Sequence, residues 1–167
     1  MDISLNFDTP KESVAVFIIC DNKLLLTRYK YEGVWVCGAT QGTFFKKGDD
    51  PLKKVIEVER EQLGITLVPK FACTIDSYIN KPRPDGRVRL RSLIYLLEIT
   101  EESKSQIKKN NQFRWLNLEE INESKIIRED DKLIFSRFLS HNHKDLIMDV
   151  DQMGKWGRPK LLDWSEA

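Results

Sequence analysis

The chain has few cysteines and histidines, lacks long apolar runs, and carries no excess of either charge. Its 167 residues include 3 cysteines and 2 histidines, and 27 basic residues nearly balance 26 acidic ones. This balance gives no support to a nucleic-acid coat protein or to a protein that binds anionic membranes. No apolar run approaches the roughly 18 residues that span a bilayer. The first eleven residues lack a basic start and an apolar stretch, so we expect no secretion signal and no membrane partner.

The cysteines and the overall composition indicate a globular protein of a reducing compartment. Cys20, Cys37 and Cys73 have no CxxC spacing, which argues against a zinc site or a disulfide framework. Hydrophobic residues make up 41% and charged residues 32% of the chain, as in ordinary folded domains. We therefore predict reduced thiols and a cytoplasmic location.

Apolar patterning predicts strands at both ends of one main helix. A β-branched run predicts a buried strand over residues 13–20, and turn residues join it to a second strand over 24–29. Residues 33–48 are rich in Gly, Ala and Thr and are predicted to be mostly loop. Further elements are predicted as strands over 71–79, 88–99 and 113–116 and a helix over 130–139.

The main helix is predicted over residues 51–63. Asp49 or Asp50 can cap it, Pro51 suits its first position, and Gly64 is the expected terminator. A mostly apolar face is traced by Leu52, Val55, Ile56, Glu59 and Leu63. Strands and helices in this order predict one α/β domain over residues 1–148 and a C-terminal tail over 149–167.

This order of segments resembles the Nudix (MutT-like) hydrolase family. The resemblance is carried by the first two strands, by Trp35 and a glycine-containing loop, by a helix closed with Leu63-Gly64-Ile65, and by the aromatic, then acidic segment at residues 113–121. It covers roughly residues 12–140 and implies an α/β/α sandwich with a mixed β-sheet.

The family's sequence motif is present in a degenerate form. Its consensus is G-x5-E-x7-R-E-U-x-E-E-x-G-U, where U is a bulky aliphatic residue, and Gly64-Ile65 fixes the register. One motif glutamate is kept, as Glu61. The other motif positions are occupied by Thr43 for Gly, Asp49 for Glu, Glu57 for Arg, Val58 for Glu and Gln62 for Glu.

The resemblance implies hydrolysis of a nucleoside diphosphate linked to another moiety, with Mg2+ or Mn2+ as the cofactor. Magnesium prefers hard oxygen ligands in near-octahedral geometry, and such an ion neutralises phosphate charge and activates water. The family's main carboxylate pair would lie at Val58 and Gln62. Valine offers no ligand, and glutamine offers only a neutral carbonyl.

A second carboxylate pair gives the hypothesis of a displaced metal site. Glu57 and Glu61 are four residues apart and so share a helix side. We predict that they act as catalytic residues and bind the metal together with Asp49. The alternative is that Glu57 and Glu59 lie on a solvated face of the helix.

Three arginines and one phenylalanine are the predicted substrate-binding residues. Arg87 and Arg89 alternate with apolar residues at the period of a strand, and guanidinium groups match phosphate oxygens. The family resemblance implies that Arg28, at the end of the second strand, is a third phosphate-binding residue. Phe44 can stack on a base. The alternatives are solvated strand positions for the arginines and a hydrophobic loop anchor for Phe44 and Phe45.

Two functions of different kinds follow. The first is a divergent Nudix-type hydrolase, and the second is a catalytically inactive Nudix-like module that binds a nucleotide or a protein partner. The expected partner is a nucleotide-type small molecule, and the sequence leaves a homodimer and an RNA end open as further partners.

Overall fold

The computed structural model describes residues 11–31, 34–39, 42–80, 87–142 and 144–151. Its strands are β1 Lys11–Cys20, β2 Lys23–Tyr31, β3 Val34–Ala39, β4 Gly42–Phe44, β5 Lys70–Asn80, β6 Arg87–Glu98, β7 Phe113–Leu116 and β8 Leu146–Asp151. Its helices are α1 Pro51–Val58, α2 Glu101–Ser105, α3 Leu118–Glu123 and α4 Glu129–Leu139, and a π-helical turn, Glu59–Leu63, continues α1. Among these residues no helix is long and apolar enough to span a membrane.

All eight strands belong to one mixed sheet. Its main path is β3-β2-β1-β6-β5-β8, with β4 paired to β1 and β7 paired to β2. The pairs β1·β6 and β5·β8 are parallel, and the others are antiparallel. The β1–β2 hairpin turns through Asp21 and Asn22, both with positive φ. Asn and Asp adopt this conformation more easily than most residues, and it matches the twist of a hairpin.

Helices cover both faces of the sheet. On one face, Phe17 packs against Phe135 and Phe138 of α4, with ring centroids 5.8 and 4.3 Å apart. On the other face, Val55 of α1 and Leu63 pack with alternate residues of β1 and β6. The predicted α/β/α sandwich with a mixed sheet is therefore confirmed.

The structure corrects the prediction for residues 33–48. This segment contains β3 and β4 instead of being mostly loop. Its small residues suggested a loop, but cross-strand pairing to β2 and β1 holds the described parts extended. Tertiary pairing overrides weak local propensity in such cases.

Helix α2 and strand β8 were also missing from the sequence prediction. Helix α2 has only five residues and is capped by Thr100, whose side chain accepts a hydrogen bond from the Ser103 amide. Strand β8 pairs in parallel with β5 and runs through the predicted domain boundary at residues 148/149. The sheet therefore includes three residues that the sequence assigned to the tail, and residues 152–167 lie outside the described part.

Candidate functional site

Helix α1 begins where the sequence predicts, and the π-helical turn that continues it ends where the sequence predicts. The Asp50 carboxylate accepts hydrogen bonds from the amides of Leu52 and Lys53, at 3.0 and 3.4 Å, and Pro51 takes the first helical position. The chain leaves the π-helical turn at Gly64, whose φ of 73° suits glycine. The Gly64 amide donates to the carbonyls of both Glu59 and Arg60, which widens this last turn.

The two positions at which the family resemblance places its main carboxylates are unsuited to a metal ion. Val58 is buried and contributes to the hydrophobic interior, whereas Gln62 is exposed. An aliphatic side chain cannot bind a cation, and a lone amide oxygen binds magnesium more weakly than a carboxylate. The usual ligand pair is therefore missing from this helix.

The three predicted metal ligands are not assembled into a preformed site. Glu57 is about half exposed, 3.7 Å from Lys54 Nζ, and lies about 200° around the helix from the buried Val55. Asp49 instead accepts a hydrogen bond from the Lys46 amide at 2.9 Å, and Glu61 is exposed. Within the described ranges, no group of three or more His, Cys, Asp or Glu side chains is arranged to hold a metal. Val58 and Gln62 therefore do not fit the magnesium ion that the resemblance implies, and the ligand set of Asp49, Glu57 and Glu61 stays a prediction.

Glu59 is buried, contrary to the alternative that placed it with Glu57 on a solvated face. Its side chain is fully inaccessible, and neither carboxylate oxygen has a hydrogen-bond partner among the described residues. Burial raises the pKa of Glu59 to about 7, and the nearby Leu67 backbone amide opposes this rise without completing a hydrogen bond. Desolvation disfavours the charged form of such a group. The buried side of the helix therefore contains an acid that is partly protonated near neutral pH.

Arg28 lies in a polar cluster on the opposite face of the sheet from α1. It is the cross-strand partner of Cys37, on the face that packs against α3 and α4. The Cys37 amide donates to the Ile126 carbonyl at 3.0 Å, which brings the start of α4 beside β3. Burial raises the pKa of the Cys37 thiol, Asp131 adds to the rise, and Arg28 opposes it. The thiol is thus flanked by one acidic and one basic group.

Asp131 belongs to the same cluster through the first turn of α4. Its side chain is 22% exposed, and its carboxylate lies 3.6 Å from the Arg128 guanidinium. Arg128 also forms a two-pronged contact with Asp130. Burial raises the pKa of Asp131 to about 6. The Arg128 guanidinium lowers this pKa, and the Asp130 carboxylate raises it further. This cluster, consisting of Arg28, Cys37, Arg128, Asp130 and Asp131, is called the Arg28 cluster below.

The predicted arginines lie in two different strands. Arg87 and Arg89 belong to β6, where their backbones pair with Asn80 and Tyr78 of β5. Arg28 belongs to β2, as the cross-strand partner of Cys37 in β3. Farther along β6, Arg91 pairs with Asp76 at 3.2 Å. The phosphate-binding roles of Arg28, Arg87 and Arg89 stay predictions.

The two phenylalanines before α1 have different environments. Phe45 packs against the interior beneath α1, whereas 65% of the Phe44 surface is exposed. Phe45 therefore matches the expected loop anchor. Phe44 is accessible to a ligand, and its role in binding stays a prediction.

The sequence reasoning missed Arg128, Asp131 and the burial of Glu59. The first two are about 100 residues from Arg28, and no local pattern connects them. A signal for Glu59 was present, because it falls on the apolar stripe that starts at Leu52 and Val55.

Comparison with known proteins supports the fold and extends no further. No family model matches the sequence, and no curated protein is significantly similar to it. Similar solved structures include a MutT protein from Bacillus halodurans, with a TM-score of 0.57, 16% identity, and coverage of 92% of this chain and 95% of that one. A MutT protein from Methanosarcina mazei has a TM-score of 0.58 and 17% identity, with coverage of 80% of this chain and 96% of that one.

A third solved structure is similar in fold at the same low level of sequence identity. A NUDIX-family hydrolase from Clostridium perfringens has a TM-score of 0.55 and 16% identity, with coverage of 78% of this chain and 97% of that one. The mixed sheet with helices on both faces agrees with these likenesses. The chain therefore has the fold of the Nudix hydrolases.

Proposed function

We propose that this Nudix-like domain binds a nucleotide-type small molecule and does not hydrolyse it by the family's metal-dependent reaction. The observation that supports this choice is the composition of α1 and of the π-helical turn that continues it: Val58 is buried where a ligand carboxylate would be needed, and Gln62 is neutral. One fold supports many functions, so the site decides between them.

The Arg28 cluster is the proposed binding surface. Arg28 supplies donors, and Asp131 supplies an acceptor whose charge changes near pH 6. Such a pair can contact the donor and acceptor groups of a nucleobase, and a guanidinium can also bind a phosphate. Each charge-assisted hydrogen bond to a ligand contributes about 1.5–3 kcal/mol.

The test is isothermal titration with a panel of nucleoside diphosphates, triphosphates and nucleoside diphosphate derivatives. Arg28→Gln and Asp131→Asn should each weaken binding about tenfold, whereas Arg60→Gln, on an exposed residue outside the cluster, should not. Binding through the Asp131 carboxylate should also weaken as the pH falls through about 6. Equal affinity in all four proteins would reject the Arg28 cluster as the site.

The competing candidate is the divergent hydrolase. It is favoured by the fold, since a solved structure similar to this one is named as a hydrolase, and by the accessibility of Glu57 and Glu61. In that function, Asp49, Glu57 and Glu61 would hold Mg2+ or Mn2+ and the substrate would be a nucleoside diphosphate linked to another moiety. The three side chains would first have to move together.

A hydrolysis screen of the same panel with magnesium and with manganese separates the two functions. Turnover that Glu61→Gln abolishes and Glu123→Gln preserves would establish the hydrolase. Saturable binding without turnover would establish the binding module. The homodimer, the RNA end and the cytoplasmic location stay predictions.

A further inference from the structure

A separate cavity of about 610 Å³ lies on the α1 face of the sheet, between α2 and β7. Its apolar side is formed by Leu25, Ile107, Phe113 and Trp115. Leu25 and Trp115 are cross-strand partners in β2 and β7, so this side is a continuation of the sheet. Because Arg28 lies on the opposite face, the cavity is not part of the Arg28 cluster.

The other side of the cavity is basic. Lys104, Lys108 and Lys109 line it, together with Glu101 as a counter-charge. Lys104 lies 3.5 Å from Glu101 and 5.0 Å from the centre of the Trp115 ring. Three ammonium groups against one carboxylate leave a positive balance in the cavity.

The lysines of the cavity differ in the hydrogen bonds and ion pairs that they already make within the protein. Lys108 donates to the Glu61 carbonyl at 3.0 Å, which uses one of its three donors. Lys109 is exposed and makes no ion pair or hydrogen bond with any residue that the structure describes. Lys109 is therefore the strongest available partner for an incoming anion.

The cavity also lies far from the arginine positions of β6. Helix α2 follows the carboxyl end of β6, whereas Arg87 and Arg89 lie at its amino end. A strand rises about 3.3 Å per residue, so the two regions are separated by roughly 30 Å. A ligand in the cavity would not share contacts with those arginines.

From this arrangement we propose that the cavity is a second binding site, for a small amphipathic anion. Its apolar or aromatic body contacts Phe113 and Trp115, and its phosphate or carboxylate pairs with Lys109 and Lys108. Charge pairing at an open site contributes little binding free energy by itself. Burial of the ligand's ring beside the aromatic side chains supplies the rest of the binding free energy. The ligand class therefore requires both parts in one molecule.

The experiment is an NMR titration of the full chain with 1-naphthyl phosphate, alongside inorganic phosphate and 1-naphthol. We expect saturable binding with a Kd on the order of 1 mM or below, and nuclear Overhauser contacts from the naphthyl ring to the Trp115 indole. Inorganic phosphate or 1-naphthol alone should bind at least about tenfold more weakly. Phosphate binding as tight as naphthyl phosphate would overturn the assignment of an amphipathic ligand.

Charge reversal at the cavity provides the matched test. Lys109→Glu should weaken binding of 1-naphthyl phosphate about five- to tenfold, whereas Lys125→Glu, at an exposed lysine remote from the cavity, should have little effect. Contacts of the naphthyl ring with Trp115 report on the cavity and not on the Arg28 cluster, so the outcome is independent of the proposed nucleotide site. Equal effects of the two lysine variants, or no saturation by about 10 mM, would overturn the proposal.

Discussion

Replacing Glu59 by glutamine should stabilise the protein, and the gain should grow with pH. The buried carboxyl has its pKa raised from 4.5 to about 7 because burial disfavours its charged form. A group with a raised pKa in the folded state binds its proton more tightly there than in the unfolded chain. Its stabilising contribution is therefore complete below about pH 4.5 and is lost as the pH rises through 7.

The magnitude follows from the same two values. One pKa unit corresponds to about 1.4 kcal/mol, so charged Glu59 at pH 8 should cost about 3 kcal/mol relative to its neutral form. Glutamine cannot ionise and has nearly the same shape. Glu59→Gln should therefore be about 1 kcal/mol more stable than the original protein at pH 5 and about 3 kcal/mol more stable at pH 8.

Urea denaturation at pH 5 and at pH 8, followed by circular dichroism, measures this difference. Glu61→Gln is the control, because Glu61 lies in the same helical turn and is exposed. Its effect on the free energy of unfolding should be small, because its side chain reaches solvent. If Glu59→Gln gave the same change at both pH values, burial of an ionisable carboxyl would be the wrong account of this position.

Three further changes test the packing, the capping and the backbone. Phe138→Ala should lower the free energy of unfolding by about 3–5 kcal/mol, because the ring is 1% exposed and packs on Phe17; a loss under 1 kcal/mol in urea denaturation would contradict this. Asn117→Ala should cost about 1 kcal/mol, since Asn117 and Glu120 form a reciprocal capping box at α3, and Lys125→Ala provides the surface reference in the same assay. Gly64→Ala should cost about 1–2 kcal/mol by thermal unfolding, because φ is 73° and the added Cβ would lie 2.9 Å from Lys108 Cγ; an unchanged Tm would refute the strain.

Much of the fold was predictable because its signals are local. The β1–β2 hairpin follows from an apolar run, two turn residues and a second apolar run. Helix α1 is marked by Asp50 at its N-cap and Pro51 at its first position, and the π-helical turn that continues it is closed by Gly64. Strand β7 has the predicted bounds, Phe113–Leu116.

The missed parts depend on distant residues. Strand β8 forms by pairing with β5, about 70 positions earlier in the chain, and β3 and β4 are held by partners that local propensity cannot identify. The Arg28 cluster likewise needs β2, β3 and α4 to meet. By contrast, the absence of a carboxylate at Val58 could be read directly from the sequence, because the position of Gly64 fixes the register.

The parallel pairing of β1 with β6 has a consequence for synthesis of the chain. Ser13 and Ser92, whose hydroxyls are 2.9 Å apart, are separated by 79 positions. At roughly 5–20 residues per second, a ribosome needs several seconds to extend the chain from one partner to the other. Through that interval the largely buried strand β1 has its hairpin neighbour β2 but not its other neighbour, β6. Nascent β1 is therefore the segment on which a chaperone would be expected to act first, and slow translation between the two strands would prolong its exposure.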